Sequence, residues 1–213
     1  MKLPWDTDRR NGQDGSKRDQ NPMRGTSEDR DLGDLEPGDA IDFWGEGHRV
    51  VTCVLECSER IGMREYAWRW SFLDDGSIVE ASLDGQWRYA EHEIVPQGSA
   101  LFSDLVGSKG LLEQFEARVR DDSVGDNPVF IELRSKRYKV TSTGTVAPKR
   151  RGEAPKLGPW AQFVKNADEN VYFSLVAAED ENDGVLGVWT SHVCLSFGKP
   201  ISETDVDAVY RKR

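Results

Sequence analysis

The stretch Tyr66-Ala67-Trp68-Arg69-Trp70-Ser71-Phe72-Leu73 constrains this chain more than any other. Its four rings, Tyr66, Trp68, Trp70 and Phe72, fall at every second position. Successive side chains of an extended strand point to opposite faces, so all four rings share one face. A ladder of that size needs a surface to pack against, which makes this strand the centre of a β core. Asp74-Asp75-Gly76 follows as a hairpin turn, and Ser77 to Leu83 as the return strand.

The flanking sequence keeps the same pattern. Leu35-Glu36-Pro37-Gly38-Asp39 carries a Pro-Gly turn signal where order is expected to begin. Ala40 to Trp44 reads as a short strand, Gly45-Glu46-Gly47 as a tight turn, and His48 to Glu56, rich in β-branched residues, as a second strand. Asp84-Gly85 turns the chain into Gln86 to Val95. The period then changes: Ser99 to Val106 and Gly110 to Arg120 have helical spacing, with Leu111, Leu112, Phe115 and Val119 on one face. Strands resume at Val129 to Leu133 and at Lys136 to Val146, paired across Arg134-Ser135. Ala147 to Pro159 reads as a loop. Trp160 to Val164, Asn170 to Ala178 and Val185 to Phe197 read as strands, and Ser202 to Lys212 as a short helix capped by Ser202.

The expected fold is therefore mainly β, a β-rich α+β chain. Two similar small antiparallel β units, meander or barrel-like, occupy residues 35–96 and 129–198, with a helical connector over 97–128 and a short helix or tail over 199–213. Residues 1–34 mix both charges and hold almost no large apolar side chain, so a disordered tail is expected there, with Trp5 as a residue suited to docking. The two units match weakly at Val51-Thr52 and Val140-Thr141, at Trp68 and Trp160, and at Ser82-Leu83 and Ser174-Leu175. The offset of about 90 residues is longer than that of a solenoid repeat.

Three of these segments carry a resemblance. Leu35-Glu36-Pro37-Gly38-Asp39, then Arg49-Val50-Val51, then Trp68 to Leu73 with Asp74-Asp75-Gly76 resemble a bacterial tandem β-rich domain of unknown function. That family is often encoded near polyamine-synthesis and phage-shock-type envelope-stress genes. The resemblance implies a tandem β fold and a setting in one of those pathways, and it supplies no catalytic residue.

Composition narrows the function classes. The formal net charge is -10, which speaks against nucleic acid as a partner, since duplex binding rests on Lys and Arg neutralising phosphates. No apolar run approaches the length of a membrane span, and the start, Met1-Lys2-Leu3-Pro4-Trp5, has no apolar signal core, so a cytoplasmic protein is expected. Three cysteines suit a reduced compartment. Cys53 and Cys57 share one strand face and His192 and Cys194 another. Together they offer a donor set for zinc, but neither pair has the usual Cys-x2-Cys spacing, so no metal and no cofactor is expected. No nucleophile elbow, phosphate loop or dinucleotide loop is present.

The most pointed feature is a basic stretch in an acidic protein: Arg134, Lys136, Arg137, Lys139, Lys149, Arg150, Arg151 and Lys156. It is the candidate contact for an anionic partner, a protein face or an anionic membrane surface, with Lys149-Arg150-Arg151 on a flexible loop. Trp68, Trp70 and Trp160 are the candidate aromatic surface. The expectation is a non-catalytic binding or scaffold protein with a protein partner. The alternative is a metal-dependent or hydrolytic enzyme using His, Cys and acidic residues.

Overall fold

A computed structural model describes residues 30–213, except 62, 84, 122, 124, 147, 156–159, 167–172, 181, 190 and 191. For residues 60, 61, 64, 162, 165, 166, 173–177 and 179 it describes the backbone alone. Most of the tail expected over residues 1–34 lies outside these residues. Residues 30–34 belong to the folded body, since Leu32 is 1% exposed.

The protein is mainly β, with a helical connector joining two strand regions. The first region holds β1 (Ala40–Phe43), β2 (Gly47–Ile61), β3 (Arg64–Leu73), β4 (Ile78–Ser82) and β5 (Gly85–Val95). The connector is α1 (Ala100–Val106) and α2 (Leu111–Arg120), with the Ser99 hydroxyl accepting from Phe102 N at the start of α1. The second region holds β6 (Phe130–Leu133), β7 (Lys136–Val146), β8 (Lys149–Gly152), α3 (Trp160–Asn166), β9 (Phe173–Glu179), β10 (Gly184–Trp189), β11 (Val193–Pro200) and β12 (Val206–Tyr210).

The two regions are bonded edge to edge. The strand order is β12-β1-β2-β3-β4-β5-β11-β10-β9-β7-β6, antiparallel throughout. Two features then close it. β2 is long enough to bond β1 through residues 47–50 and β8 through residues 53–56 along the same edge. Only two residues separate β7, bonded to β9, from β8, bonded to β2. The chain therefore crosses from one end of the sheet to the other, and Thr145 N donates to Glu59 Oε1 of β2 beside the crossing. The result is a ring of β2, β3, β4, β5, β11, β10, β9 and the β7–β8 strand. The β1–β12 strand pair and the β6–β7 hairpin lie outside the ring as two flaps.

A ring of that size has an interior just wide enough for side chains to fill. Cys53, Leu55, Cys57, Trp70, Phe72, Ile78, Tyr89, Val146, Leu186, Val188 and Cys194 fill it from the wall, and Trp160, Phe163 and Val164 fill it from α3. Two smaller cores lie outside. One packs α1 and α2 on β10 and β11, through Leu105, Leu111 and Phe115 against Val185, Trp189 and Leu195. The other packs Leu32, Leu35, Ile41 and Val209 on Val51, Val54 and Val79. Gly184 leaves room for an aromatic ring, since a Cβ there would lie 2.7 Å from the Trp87 ring.

Several expectations need correction. Trp160 to Val164 is helix, not strand. Its buried residues 160, 163 and 164 follow i, i+3, i+4 spacing. Val185 to Phe197 is two strands, β10 and β11, folded back on each other. Ser202 to Lys212 is not a helix. Ser202 N and Oγ both donate to Asp205 Oδ2 in a tight turn, and the chain then pairs with β1 as β12. Lys149 to Gly152 is strand β8 rather than a flexible loop. Of the three matches between the units, Trp68 with Trp160 sets a strand residue against a helix residue.

Candidate functional site

The interior of the ring is filled by side chains. Trp70 is fully buried, and its ring centroid lies 5.5 Å from that of Trp160. Phe72 stands 5.5 Å from the same ring, and Phe163 stands 4.9 Å from it. The rings meet edge to face, the arrangement their quadrupoles favour. Trp70 and Trp160 are thus core, not an exposed aromatic surface. Trp68 is partly buried at one end of the ring, 6.0 Å from Trp70.

Polar groups inside the ring bond to one another. Trp160 Nε1 donates to Ser196 Oγ at 2.8 Å. Gly76 O, 2.9 Å from His92 Nε2, can only accept, so Nε2 carries the proton. Burial holds the His92 pKa below 6.5, despite opposing effects of Gly76 O and Asp75, so the ring is neutral and Nδ1 accepts from the Ser196 hydroxyl at 2.8 Å. Ser196 and His92 lie at the separation of a nucleophile and its base. Ser196 is wholly buried, however, and its oxygen already accepts from the Trp160 indole. The pair is a structural clasp on α3. Nearby, Trp70 Nε1 donates to Glu80 Oε2 at 2.7 Å, and burial raises the Glu80 carboxyl while the Trp70 hydrogen bond lowers it by less.

All three cysteines line this interior. Burial pushes the Cys57 thiol well up, reinforced by Glu80 and Glu56, and pushes Cys194 up to about 12. The ordinary form of both is a protonated thiol that packs as a small apolar group. Cys53 sits in the same core, whereas His192 lies in the β10–β11 connection. Among the described residues, no three His, Cys, Asp or Glu side chains are grouped to hold a metal ion.

The concave surface lies outside the ring. A groove of about 480 Å³ runs between the two flaps over β5 and β11. One wall is Phe43, Trp44 and Glu46 with Ile201 and Asp205; the other is Arg134, Lys136, Tyr138 and Asp183. The floor carries Arg88, Ala90, Glu91 and Phe197. The β5–β11 register shifts here, pairing Phe197 with Glu91 and Gly198 with Tyr89, so exposed Ala90 is passed over in the ladder. Bulges of this kind re-aim a strand at sites of contact.

Three groove cations, Arg88, Arg134 and Lys136, are held in place. Arg88 lies 4.0 Å over the Phe43 ring and bonds Glu46 at 2.8 Å and Asp75 at 3.2 Å. Burial alone would raise the Asp75 carboxyl, but hydrogen bonds from Ser77 and Arg49 and the charge of Arg88 hold it below its ordinary value. Arg134 lies 3.7 Å over the Phe197 ring and bonds Glu91 at 2.5 Å, with Glu93 at 3.5 Å. Lys136 pairs with Asp183, which raises the lysine pKa. Across the groove, Trp44 is 72% exposed.

The turn that presents Arg134 is strained. Arg134 and Ser135 have φ of 50° and 64°, the left-handed pair that a two-residue hairpin normally fills with Asn-Gly. Two non-glycine residues there cost stability. The side chain so presented lies in the groove.

The basic stretch does not form one patch. Lys136 is in the groove, and Arg137 stacks 3.9 Å over the Phe130 ring on the β6–β7 flap. Lys139 is exposed farther along β7. Lys149 lines a second cleft, of about 500 Å³, with Cys57, Trp68 and Arg69. Arg150 pairs through its backbone with Leu55, and Arg151 bonds Glu36 and Glu56, each at 2.8 Å. Lys156 lies outside the described residues. Trp44 and Arg88 were missed because each reads as an ordinary strand-end residue. The signal that was present is the Arg134-Ser135 pair in a turn that favours Asn-Gly.

No protein-family model, no characterised protein and no solved structure was found to match this chain.

Proposed function

We propose that this protein is a non-catalytic binding module that holds an extended peptide segment of a protein partner in the outer groove. One observation carries this reading: the ring interior is filled by α3, while the groove displays Trp44, Arg88 and Arg134 on strained and bulged backbone. Exposed Trp beside positioned Arg is the chemistry of an interface anchor. The bulge at Ala90 and the two flaps suit a chain laid along the floor. The groove lining is charge-balanced, with Arg88, Arg134, Lys136 and Lys199 against Glu46, Glu91, Asp183 and Asp205. A peptide of mixed charge fits that lining better than a polyanion does. The family resemblance supplies the setting we propose, a bacterial cytoplasmic adaptor in envelope-stress or polyamine-linked pathways.

The test is a peptide-display selection against the full chain, run beside the Arg134→Asn/Ser135→Gly double variant. Asn-Gly is the favoured sequence for this turn, so the flap keeps its fold while the guanidinium is lost. A common motif enriched by the parent and at least tenfold weaker on the variant supports the reading. A motif bound equally by both, or none enriched, overturns it.

A further inference from the structure

The described chain begins at Arg30, whose side chain bonds the turn at one wall of the groove. Arg30 Nη1 donates to Glu203 O at 3.1 Å, in the turn between β11 and β12. Ile201 and Asp205, on either side of Glu203, line the groove, and Trp44 N donates to Asp205 O at 3.0 Å. Toward its C-terminal side the same segment is tied elsewhere, with Asp31 O accepting from Arg211 and Gly33 O from Arg69.

We propose that residues 2–10 of this chain occupy the groove, with Trp5 set against Trp44. The inference rests on the groove being the binding site and names its resident occupant. Three observations support it. The first is reach: the 25 residues from Trp5 to Arg30 have a coil dimension of about 27 Å, on the scale of a groove between two hairpins. The second is chemistry: Trp5 is the sole aromatic residue before position 30, and it sits in the most apolar part of that segment, after Leu3-Pro4. Its opposite number is the exposed Trp44. The third is charge pattern: Asp6 and Asp8 and then Arg9 and Arg10 follow Trp5, and the groove lining likewise carries both signs.

The tail charges then compete with the ion pairs of Arg88, Arg134 and Lys136 inside the groove, so the segment is held weakly. A partner peptide displaces it, and the tail acts as a built-in competitor that sets a threshold for binding.

The experiment replaces Trp5 in the full chain with the photo-reactive residue p-benzoylphenylalanine and maps its cross-links by mass spectrometry. Light and heavy isotope-labelled chains are mixed beforehand. Cross-links to groove peptides bearing Trp44, Tyr138 or Phe197, within one isotope form, are expected. Cross-links to β12 or the second cleft, cross-links joining light and heavy chains, or no protein cross-link overturn the inference. A motif still enriched by display on the full chain in any of those cases leaves the groove as a site and removes only its occupant. As a second readout, the selected peptide should bind the Trp5→Ala chain three- to tenfold tighter than the parent, and equal binding counts against the inference.

Discussion

The Trp160 indole nitrogen donates to Ser196 Oγ across 2.8 Å, and that bond fastens the helix inside the ring to its wall. The Ser196 hydroxyl passes the bond on to His92 Nδ1, so removing one oxygen orphans the buried Trp160 nitrogen and the half-buried His92 nitrogen. Each orphaned group costs about 1–3 kcal/mol, so Ser196→Ala should destabilise the fold by about 2–6 kcal/mol. Urea unfolding followed by tryptophan fluorescence measures this. A loss below about 1 kcal/mol would show that the bond does not clasp α3.

His92 gives the protein an acid-sensitive element. Its folded pKa lies below 6.5 because burial disfavours the imidazolium. The unfolded chain then takes up a proton that the folded one refuses. Stability from His92 is complete above pH 6.5 and is lost as pH falls below it. Urea midpoints taken across that window should drop, and the drop should shrink in His92→Asn. A slope unchanged by the substitution would assign the effect to other groups.

Glu80 acts with the opposite sign. Burial raises its folded pKa above 4.5, so the folded state resists ionisation that the unfolded state accepts. Its cost is absent below pH 4.5 and grows as pH rises through the folded pKa. Glu80→Gln keeps an oxygen for the Trp70 indole and removes the charge. It should raise the melting temperature at neutral pH by about 2–4 °C for each kcal/mol released, and leave it unchanged in acid. Lower stability of the variant at neutral pH would refute this account.

Asp39 joins the two ends of the folded body. Its carboxylate accepts from Glu36 N at 2.9 Å, Arg211 at 3.2 Å and Lys212 N at 2.7 Å, and the residue is almost wholly buried. Asp39→Ala leaves two backbone donors and a partly exposed guanidinium behind and should cost about 2–4 kcal/mol. Hydrogen exchange should show β1 and β12 losing protection first. Uniform loss over the whole chain would mean that the flap does not open separately.

The aromatic ladder was the most legible part of the fold. Trp70 and Phe72 reach the core because strand period alone fixes their face. Ser99 and the Leu111-Phe115 face marked the two helices for equally local reasons. The failures share another cause. β12 and β8 are strands because an edge of β1 and an edge of β2 recruit them, and no local sequence encodes an edge. The groove was illegible for the same reason: Trp44, Arg88 and Arg134 come from three hairpins that meet only after the ring has formed. The cations of the basic stretch looked like one patch because they are neighbours in sequence. Folding separates them and gives several of them carboxylate partners.

The β7–β8 crossing also has a kinetic meaning. β8 meets β2 across roughly a hundred residues of intervening chain, so this contact has a high loop-closure entropy and forms late. α3 follows β8 directly and ends up enclosed. A chain that zips β8 onto β2 before α3 is seated faces a shut ring with its plug outside. Productive folding therefore has an obligatory order, and a slow refolding phase sensitive to α3 is its signature.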